Sequence, residues 1–342
     1  MPSHENRPLR AVLAGAGFLG GFWARELIAS PDTKLVGWVD LDVDRLRTAA
    51  ADLGLDGVPT GASLAAMLEA QMPDFLVNVT VPQAHFDVTL AALEHGAAVL
   101  SEKPLAETME QAREMVAAAD RAQRLFAVSQ NRRYMPELRA YRDTVARLGT
   151  LASVTCDFFK PLELEPGHYL QALDEPLLLD MAIHLFDSAR VVTGADPVSV
   201  YCESFRPPWS EFEGATAAHA IFEMTGGVRV VLNANWSADG FETSWTGSWR
   251  AVGENGTATW DGETAPRVES RPGVDIAPVP VEATDPPPDR FFGLEMALAE
   301  FVAALRTGTA PQGECHDNIL SLAMCHAAAE SARTGERVPI TA

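Results

Sequence analysis

A chain of 342 residues with 47% hydrophobic content and a formal charge of −21 is long enough for two domains with substantial cores and too apolar to stay disordered. Its acidity repels phosphate backbones and anionic lipid, so nucleic acid and membrane surfaces are excluded as expected partners. The four cysteines, Cys156, Cys202, Cys315 and Cys325, are widely spaced and form no CxxC pair; they read as small buried apolar residues, and neither a metal site nor a disulfide framework is expected.

The first ten residues are polar and lack the apolar stretch of a secretory signal, and no apolar run approaches the roughly 18 residues of a membrane span. A cytoplasmic location is the default expectation. An apolar strand over 11–14 then leads into Gly15-Ala-Gly-Phe-Leu-Gly20, which opens a helix, and a second apolar strand over 35–39 ends at Asp40, about 20 residues beyond the last glycine. Each glycine of such a turn has a mechanical duty. Gly15 allows the tight turn, Gly17 lets a pyrophosphate approach the backbone, and Gly20 lets helix and strand pack closely. The helix N-terminus beneath, with Phe18 and Leu19 in its first turn, offers free N–H groups and a positive dipole end to phosphates. The pattern predicts a bound nicotinamide dinucleotide. A carboxylate at Asp40 suits the two ribose hydroxyls and repels a 2'-phosphate, so NAD is favoured over NADP; Arg45 and Arg47 read as a solvated helix face.

Up to residue 133 the chain alternates short apolar runs (75–79, 97–100, 125–128) with helical patterns (64–70, 86–94, 109–121), the texture of a doubly wound parallel α/β sheet. A ligand of such a sheet lies beyond the carboxyl ends of its strands, where Gly15 to Gly20, Asp40, Thr80 to Pro82, Glu102 to Pro104 and Gln130 to Arg133 all fall. Residues 1–133 are therefore expected to form a dinucleotide-binding Rossmann domain. Residues 134–342 are expected to form an α+β domain for substrate binding and oligomerisation, built on a large, mostly antiparallel open sheet. It contains a linking helix over 135–148, strands over 152–159, 198–205, 217–224, 228–236, 248–252 and 257–260, and a long helix over 177–192. A proline-rich connector at 277–288 and two helices over 291–305 and 317–333 close the chain. An open sheet with apolar residues on both faces needs a cover, and a homodimer or homotetramer through that sheet is the simplest one. The tryptophans Trp209, Trp236, Trp245, Trp249 and Trp260 read as sheet packing or subunit contact.

Two constellations carry chemistry. Lys103, between Glu102 and Pro104 on the ligand edge, offers an ammonium that hydrogen-bonds a substrate oxygen and favours the alkoxide-like state formed as hydride leaves carbon. Asp180 and His184, four apart in the long helix, share a face; the histidine suits acceptance of a hydroxyl proton near neutral pH, and the carboxylate binds a neighbouring hydroxyl or supports the imidazolium. Asp187, one turn further, reads as structural. Lys160, His168 and Tyr169 lie upstream as candidate readers of substrate hydroxyls.

The ordered set Gly15 to Gly20, Thr80-Val-Pro-Gln-Ala-His85, Glu102-Lys-Pro104, Gln130-Asn-Arg-Arg133 and Asp180 to His184, with Glu330-Ser-Ala-Arg-Thr-Gly335 near the end, resembles the glucose-fructose oxidoreductase and inositol dehydrogenase (Gfo/Idh/MocA) family. The resemblance implies a Rossmann domain, an oligomerising sheet domain, tightly held NAD or NADP, and sugars, cyclitols or related polyols as substrates. Lys103, Asp180 and His184 match the family's catalytic lysine, aspartate and histidine, and Thr80, Pro82, His85 and Glu102 match positions lining the nicotinamide end. One departure stands out: Glu175-Pro-Leu-Leu-Leu179 occupies the place of a glycine run common in the family, which leaves the substrate's approach to the backbone open. The expected activity is reversible oxidation of a secondary ring hydroxyl by NAD without a metal. The alternatives are an NAD-dependent glycoside-cleaving enzyme that works by transient oxidation and elimination, and a non-catalytic NAD- and sugar-sensing regulator on the same fold.

Overall fold

The computed structural model of the chain describes residues 7–282 and 291–342. Part of the expected connector at 277–288 therefore lies outside the described residues, as do the first six residues of the polar leader. The described residues divide into two compact units, 7–131 with 291–319 and 132–282 with 320–342.

The first unit opens as the alternation of apolar runs and helical patterns predicts. Its elements are β1 (Leu9–Ala14), α1 (Phe18–Ala29), β2 (Thr33–Val39), α2 (Val43–Asp52), β3 (Thr60–Gly61), α3 (Leu64–Gln71), β4 (Phe75–Asn78), α4 (Pro82–Glu94), β5 (Ala98–Glu102), α5 (Met109–Ala122) and β6 (Phe126–Ser129). Among the described residues the sheet has six parallel strands in the order β3-β2-β1-β4-β5-β6. β1 is flanked by both neighbours, Ala11 facing Leu35 on β2 and Phe75 on β4. Every residue of β4, β5 and β6 is buried, the continuous apolar run expected of strands covered on both faces. α4 begins at Pro82, four residues before the expected start, because proline at the first helical turn loses no hydrogen bond there. α2, which the reading of Arg45 and Arg47 as a helix face anticipates without giving it bounds, has small and charged residues, and Asp42 caps it by accepting from the Arg45 amide.

The second unit contains α6 (Pro136–Val145), β7 (Leu151–Phe159), α7 (Ala182–Thr193), β8 (Pro197–Phe205), β9 (Ala217–Met224), β10 (Arg229–Asn235), β11 (Ser248–Gly253), β12 (Gly256–Trp260) and β13 (Arg267–Ser270). β9 and β10 form a hairpin over Thr225–Gly227, where Gly226 and Gly227 take φ of 75° and 85° that a side chain would strain. The chain closes with α8 (Leu294–Thr307), α9 (Cys315–Thr334) and β14 (Val338–Pro339). The second sheet runs β13-β12-β11-β7-β10-β9-β8-β14, antiparallel except for the parallel pair β7 and β10. Its inner face carries Phe158, Phe222, Trp249 and Trp260, all buried, with Tyr141 of α6 stacked on Trp260 at 5.6 Å between ring centroids. Trp236 is buried too, whereas Trp209 and Trp245 are exposed, so packing accounts for three of the five tryptophans.

Two expectations need correction. The outer face of the second sheet is not apolar. One register row reads Tyr201, Ile221, Val231, Thr155, Arg250, Thr259, Arg267, and the next reads Glu203, His219, Asn233, Asp157, Ser248. Only the β8 to β10 end of the first row is apolar, because strand alternation puts polar residues opposite the core face. The closing segment is also shared between the units, where the sequence reading placed 134–342 in one domain. α8 packs on α1, Phe301 meets Phe75 with ring centroids 5.6 Å apart, and the carbonyl of Gly313 accepts from Val128 on the edge strand β6. The segment thus covers a strand edge that would otherwise present unpaired backbone groups. At its entry to α9, Glu314, Cys315 and His316 bring three metal-ligand types within 4.8 Å of one another. Their groups satisfy one another: Glu314 accepts the Cys315 thiol at 3.0 Å, the His316 amide at 3.0 Å and the His316 ring at 2.9 Å. We read this as a helix cap.

Candidate active site

The dinucleotide turn of the first unit has the shape its sequence predicts. Gly15 takes φ +108°, and a Cβ there would stand 2.5 Å from the Val79 carbonyl oxygen; a Cβ at Gly20 would stand 2.6 Å from the Gly15 oxygen. Both glycines are therefore demanded by backbone packing. Gly17 is different. A Cβ there meets no heavy atom within 4 Å among the described residues, so its open face is available to a ligand. Gly17 is also the N-cap of α1 and supplies no side-chain acceptor, so the first-turn N–H groups of Phe18 and Leu19 can meet an outside anion, while that of Gly20 donates to the Gly17 carbonyl at 3.0 Å. Asp40 closes the turn: its Oδ2 accepts from the Ala16 amide at 2.6 Å, and Oδ1 accepts from the Asp42 amide and from Arg45, each at 2.8 Å. Arg45 is exposed on the solvated face expected of it, and it also pairs with Asp40. The Asp42 cap turns α2 so that Arg45 folds back on Asp40. Arg47, paired with Asp44 at 3.9 Å and exposed, does behave as surface.

The next residues of this edge are committed to the protein more than expected. Thr80 donates its hydroxyl to the buried Asn78 at 2.7 Å, and Pro82 starts α4. His85 is fully buried, with Nδ1 2.8 Å from the Pro104 carbonyl oxygen and Nε2 3.0 Å from that of Thr80. Burial and the nearby Lys103 charge push its pKa below the usual imidazole value against the two carbonyls. Glu102 is buried as well, accepting Trp23 Nε1 at 2.8 Å and lying 3.3 Å from the Lys103 amide; burial raises its carboxyl above the usual range. Lys103 follows on the loop, partly exposed. Gln130 is buried, and among the described residues neither its amide nitrogen nor its amide oxygen has a partner. A buried primary amide with no partner is costly unless something else pairs with it, so Gln130, the open face of Gly17 and the uncapped α1 all fit a dinucleotide.

In the second unit Asp180 and His184 are both partly exposed on one stretch of chain, but not on one continuous α-helix. Leu177–Met181 forms a π turn, with the Ala182 amide bonded to the Leu177 oxygen, and α7 proper begins at Ala182. The wider turn shifts the phase by only a fraction of a turn, so residues four apart still return to about the same side across the junction. Glu175 and Pro176 start this turn. The Glu175 backbone oxygen accepts from Leu179, its Oε1 accepts from Ser204 at 2.6 Å, and burial raises the pKa of its carboxyl. Leu178, Ile183 and Leu185 serve packing as expected. Asp187 is structural: Arg133 grips it with two bonds of 2.8 and 2.6 Å, Ser321 donates to it at 2.8 Å, and both charged side chains are buried.

The upstream candidates divide. Tyr169 lies close enough to Asp180 that the carboxylate, added to burial, pushes its phenol up to about 12. His168 stacks on Tyr169 at 4.8 Å and spends Nδ1 on the Leu170 amide. Lys160 pairs with Glu242 at 2.5 Å and sits over the Trp245 ring. Arg132 stands within Gln130-Asn-Arg-Arg133 but has no role in the sequence reading. Its Nη2 lies 3.8 Å from Met181 Sδ, beside Asp180, its buried Nη1 has no partner among the described residues, and burial lowers its pKa to about 10. The doublet Arg132-Arg133 was the available signal, since an arginine pair beginning a buried segment must pair or pay desolvation.

Comparison with known proteins agrees with this geometry. Residues 9–130 match the model of the GFO/IDH/MocA oxidoreductase family with an NAD-binding Rossmann fold, and residues 139–259 match the GFO/IDH/MocA C-terminal domain. The chain is 28% identical over 344 residues to D-apiose dehydrogenase of Paraburkholderia graminis, covering 97% of this chain and 89% of that protein. It is 28% identical to inositol 2-dehydrogenase 4 of Saccharopolyspora erythraea, covering 98% and 97% respectively. Among solved structures, an oxidoreductase from Agrobacterium radiobacter, crystallised with NAD+, L-tartaric acid and magnesium, superposes with a TM-score of 0.86 at 21% identity, over 97% of this chain and 98% of that one. With a dinucleotide seat in its first unit and matches to both domains of one family, this chain belongs to the GFO/IDH/MocA oxidoreductases and carries their NAD-binding Rossmann fold.

Proposed function

We propose that this chain oxidises a secondary hydroxyl of a sugar, inositol or related polyol, with Lys103, Asp180 and His184 as its catalytic group. The observation that carries the reading is the dinucleotide seat, Gly17 open and Asp40 fixed at the end of β2, with Lys103 on the loop that leaves the same strand edge. The names of the relatives, D-apiose and inositol dehydrogenases, support a polyol substrate. NAD, held by the Gly15 to Gly20 turn and Asp40, with Thr80, Pro82, Glu102 and Gln130 toward the nicotinamide end, supplies a hydride acceptor when bound. Lys103 donates a hydrogen bond to the substrate oxygen and stabilises negative charge on it. His184 accepts the hydroxyl proton, and Asp180 holds a neighbouring hydroxyl or steadies the imidazolium. Tyr169, a phenol protonated at neutral pH and kept further from ionisation by burial and Asp180, is a donor for a further hydroxyl. Lys160 and His168 stand as outer contacts for the same substrate. The apolar end of the outer sheet face is the proposed contact of a homodimer or homotetramer.

The test is a screen of inositols, aldoses and sugar acids with NAD, following NADH absorbance, in the native protein and in Lys103→Ala and His184→Ala. Each variant is expected to bind NAD nearly as the native chain does and to lose about a hundredfold in turnover. Native rates in both variants would remove the assignment. NADH recycled during cleavage of a glycoside selects the elimination reading. Tight binding of NAD and sugar with no turnover selects the regulator.

A further inference from the structure

The loop that carries Lys103 is gripped from two helices of its own unit. From α1, Trp23 donates to Glu102 Oε1 at 2.8 Å, and Glu102 Oε2 faces the Lys103 amide at 3.3 Å. From α4, the His85 ring reaches the Pro104 carbonyl with Nδ1 at 2.8 Å and the Thr80 carbonyl with Nε2 at 3.0 Å. Thr80 is fixed in turn: its hydroxyl and amide both donate to Asn78 Oδ1, at 2.7 and 3.3 Å, and the Asn78 amide nitrogen lies 3.2 Å from the His85 carbonyl and 3.2 Å from Thr89 Oγ1. The backbone on either side of the Lys103 side chain is thus tied to a buried group.

The chemistry of His85 is unusual for a residue that merely fills space. Both of its ring partners are carbonyl oxygens, which only accept, and a neutral imidazole has one N–H to give. We assign the proton to Nδ1, the nitrogen with the shorter contact, as the donor to Pro104. A second proton would satisfy Thr80 as well, and burial and the Lys103 charge both oppose it. Each ring nitrogen thus already faces a protein carbonyl. We propose that His85 is a positioning residue that ties the Pro104 carbonyl to the turn after β4, so that the Lys103 ammonium always starts from one place. The activity part of this proposal rests on the reading of Lys103 as a catalytic residue; the clamp itself does not.

Full-length His85→Phe, His85→Gln and Lys103→Met separate the two. Three quantities are read in each: the NAD dissociation constant from quenching of tryptophan fluorescence, kcat and KM with a polyol that the native enzyme turns over, and backbone amide exchange over residues 101–107. His85→Phe is expected to leave the NAD constant within about threefold, to speed exchange at Lys103, Leu105 and Ala106, and to lower kcat about tenfold or more with KM nearly unchanged, the scale of a misplaced reacting group. His85→Gln keeps an N–H for Pro104 and should recover part of both losses. Native exchange in His85→Phe overturns the clamp, whatever kcat does. Faster exchange with native kcat overturns the positioning role, and an NAD constant weakened more than about tenfold, the scale of 1.4 kcal/mol, reassigns His85 to the cofactor. If Lys103→Met keeps native turnover, the catalytic reading of Lys103 fails and amide exchange alone decides the clamp. Should His85→Phe not fold, the native ring decides: a protected Nδ1–H in the nitrogen-15 spectrum upholds the clamp, and a ring protonated only at Nε2 overturns it.

Discussion

Asp40 and Arg45 show how a single contact sets the terms of cofactor choice. The carboxylate is mostly buried, bonded to two backbone amides and to a guanidinium at 2.8 Å that is itself half exposed. A 2'-phosphate brought to this place meets the carboxylate first, while Arg45 is held by the group that excludes it. Asp40→Ser removes the anion and frees the cation in one step. The ratio of kcat/KM for NADP to that for NAD is expected to rise at least about tenfold, the scale of one removed charge opposition near a surface; a ratio unchanged in steady-state assays would show that Asp40 does not face the ribose. Asp187 illustrates the opposite situation, a charge with no duty toward a ligand. Asp187→Asn leaves the buried Arg133 short of its counter-ion and is expected to cost about 3–5 kcal/mol of unfolding free energy in a denaturant titration. A loss below about 1 kcal/mol would mean that the ion pair contributes little to the fold.

At the scale of elements, the strands and helices that follow period and punctuation were legible in the sequence, and those that depend on partners were not. β9 was readable to the residue because apolar alternation stops at Thr225-Gly-Gly227. The π turn at Leu177–Met181 was not, since its apolar residues read equally well as α-helix and only the Ala182 to Leu177 bond distinguishes them. The glycine turn and its carboxylate were legible from spacing alone, whereas the burial of His85 and Glu102 was not, because a sequence does not say which polar atoms of a motif are spent on the backbone. β3 and β14 have two residues each and exist by pairing with longer neighbours. The entry to α9 makes a pH prediction. Its hydrogen bond to Glu314 raises the His316 pKa above the ordinary 6.5, so the folded state binds the proton more tightly. The stabilisation is fully present below pH 6.5 and is lost as pH rises through the folded-state value. The change is small because His316 is half exposed. His316→Gln should therefore reduce the fall in Tm between mildly acidic and mildly alkaline buffer; an unchanged slope would place the titration elsewhere.

For the whole molecule, a charge of −21 makes close approach of two copies unfavourable unless the meeting surfaces are locally neutral and partly apolar. The outer face of the second sheet comes nearest to such a place at one end only. Tyr201, Ile221 and Val231 stand in register across β8, β9 and β10, Phe205 is exposed two rungs along, Arg229 beside them is paired with Glu223 at 3.3 Å, and Glu203, which accepts from the Tyr201 hydroxyl, leaves one negative charge within the patch. The β11 to β13 end of the same row, Arg250, Thr259 and Arg267, has no comparable apolar surface. If copies of the chain associate through this sheet, the contact centres on Ile221 and Val231, and a charge placed there is buried without a partner. Ile221→Asp and Val231→Asp are each expected to shift the native oligomer to a monomer in light scattering at micromolar concentration, because one unpaired buried carboxylate costs several kcal/mol. Arg267→Asp, at the far end, should leave the mass unchanged. Dissociation by the Arg267 variant with retention by the other two would move the interface to the opposite end of the sheet, and a native chain that is monomeric at every concentration would remove it.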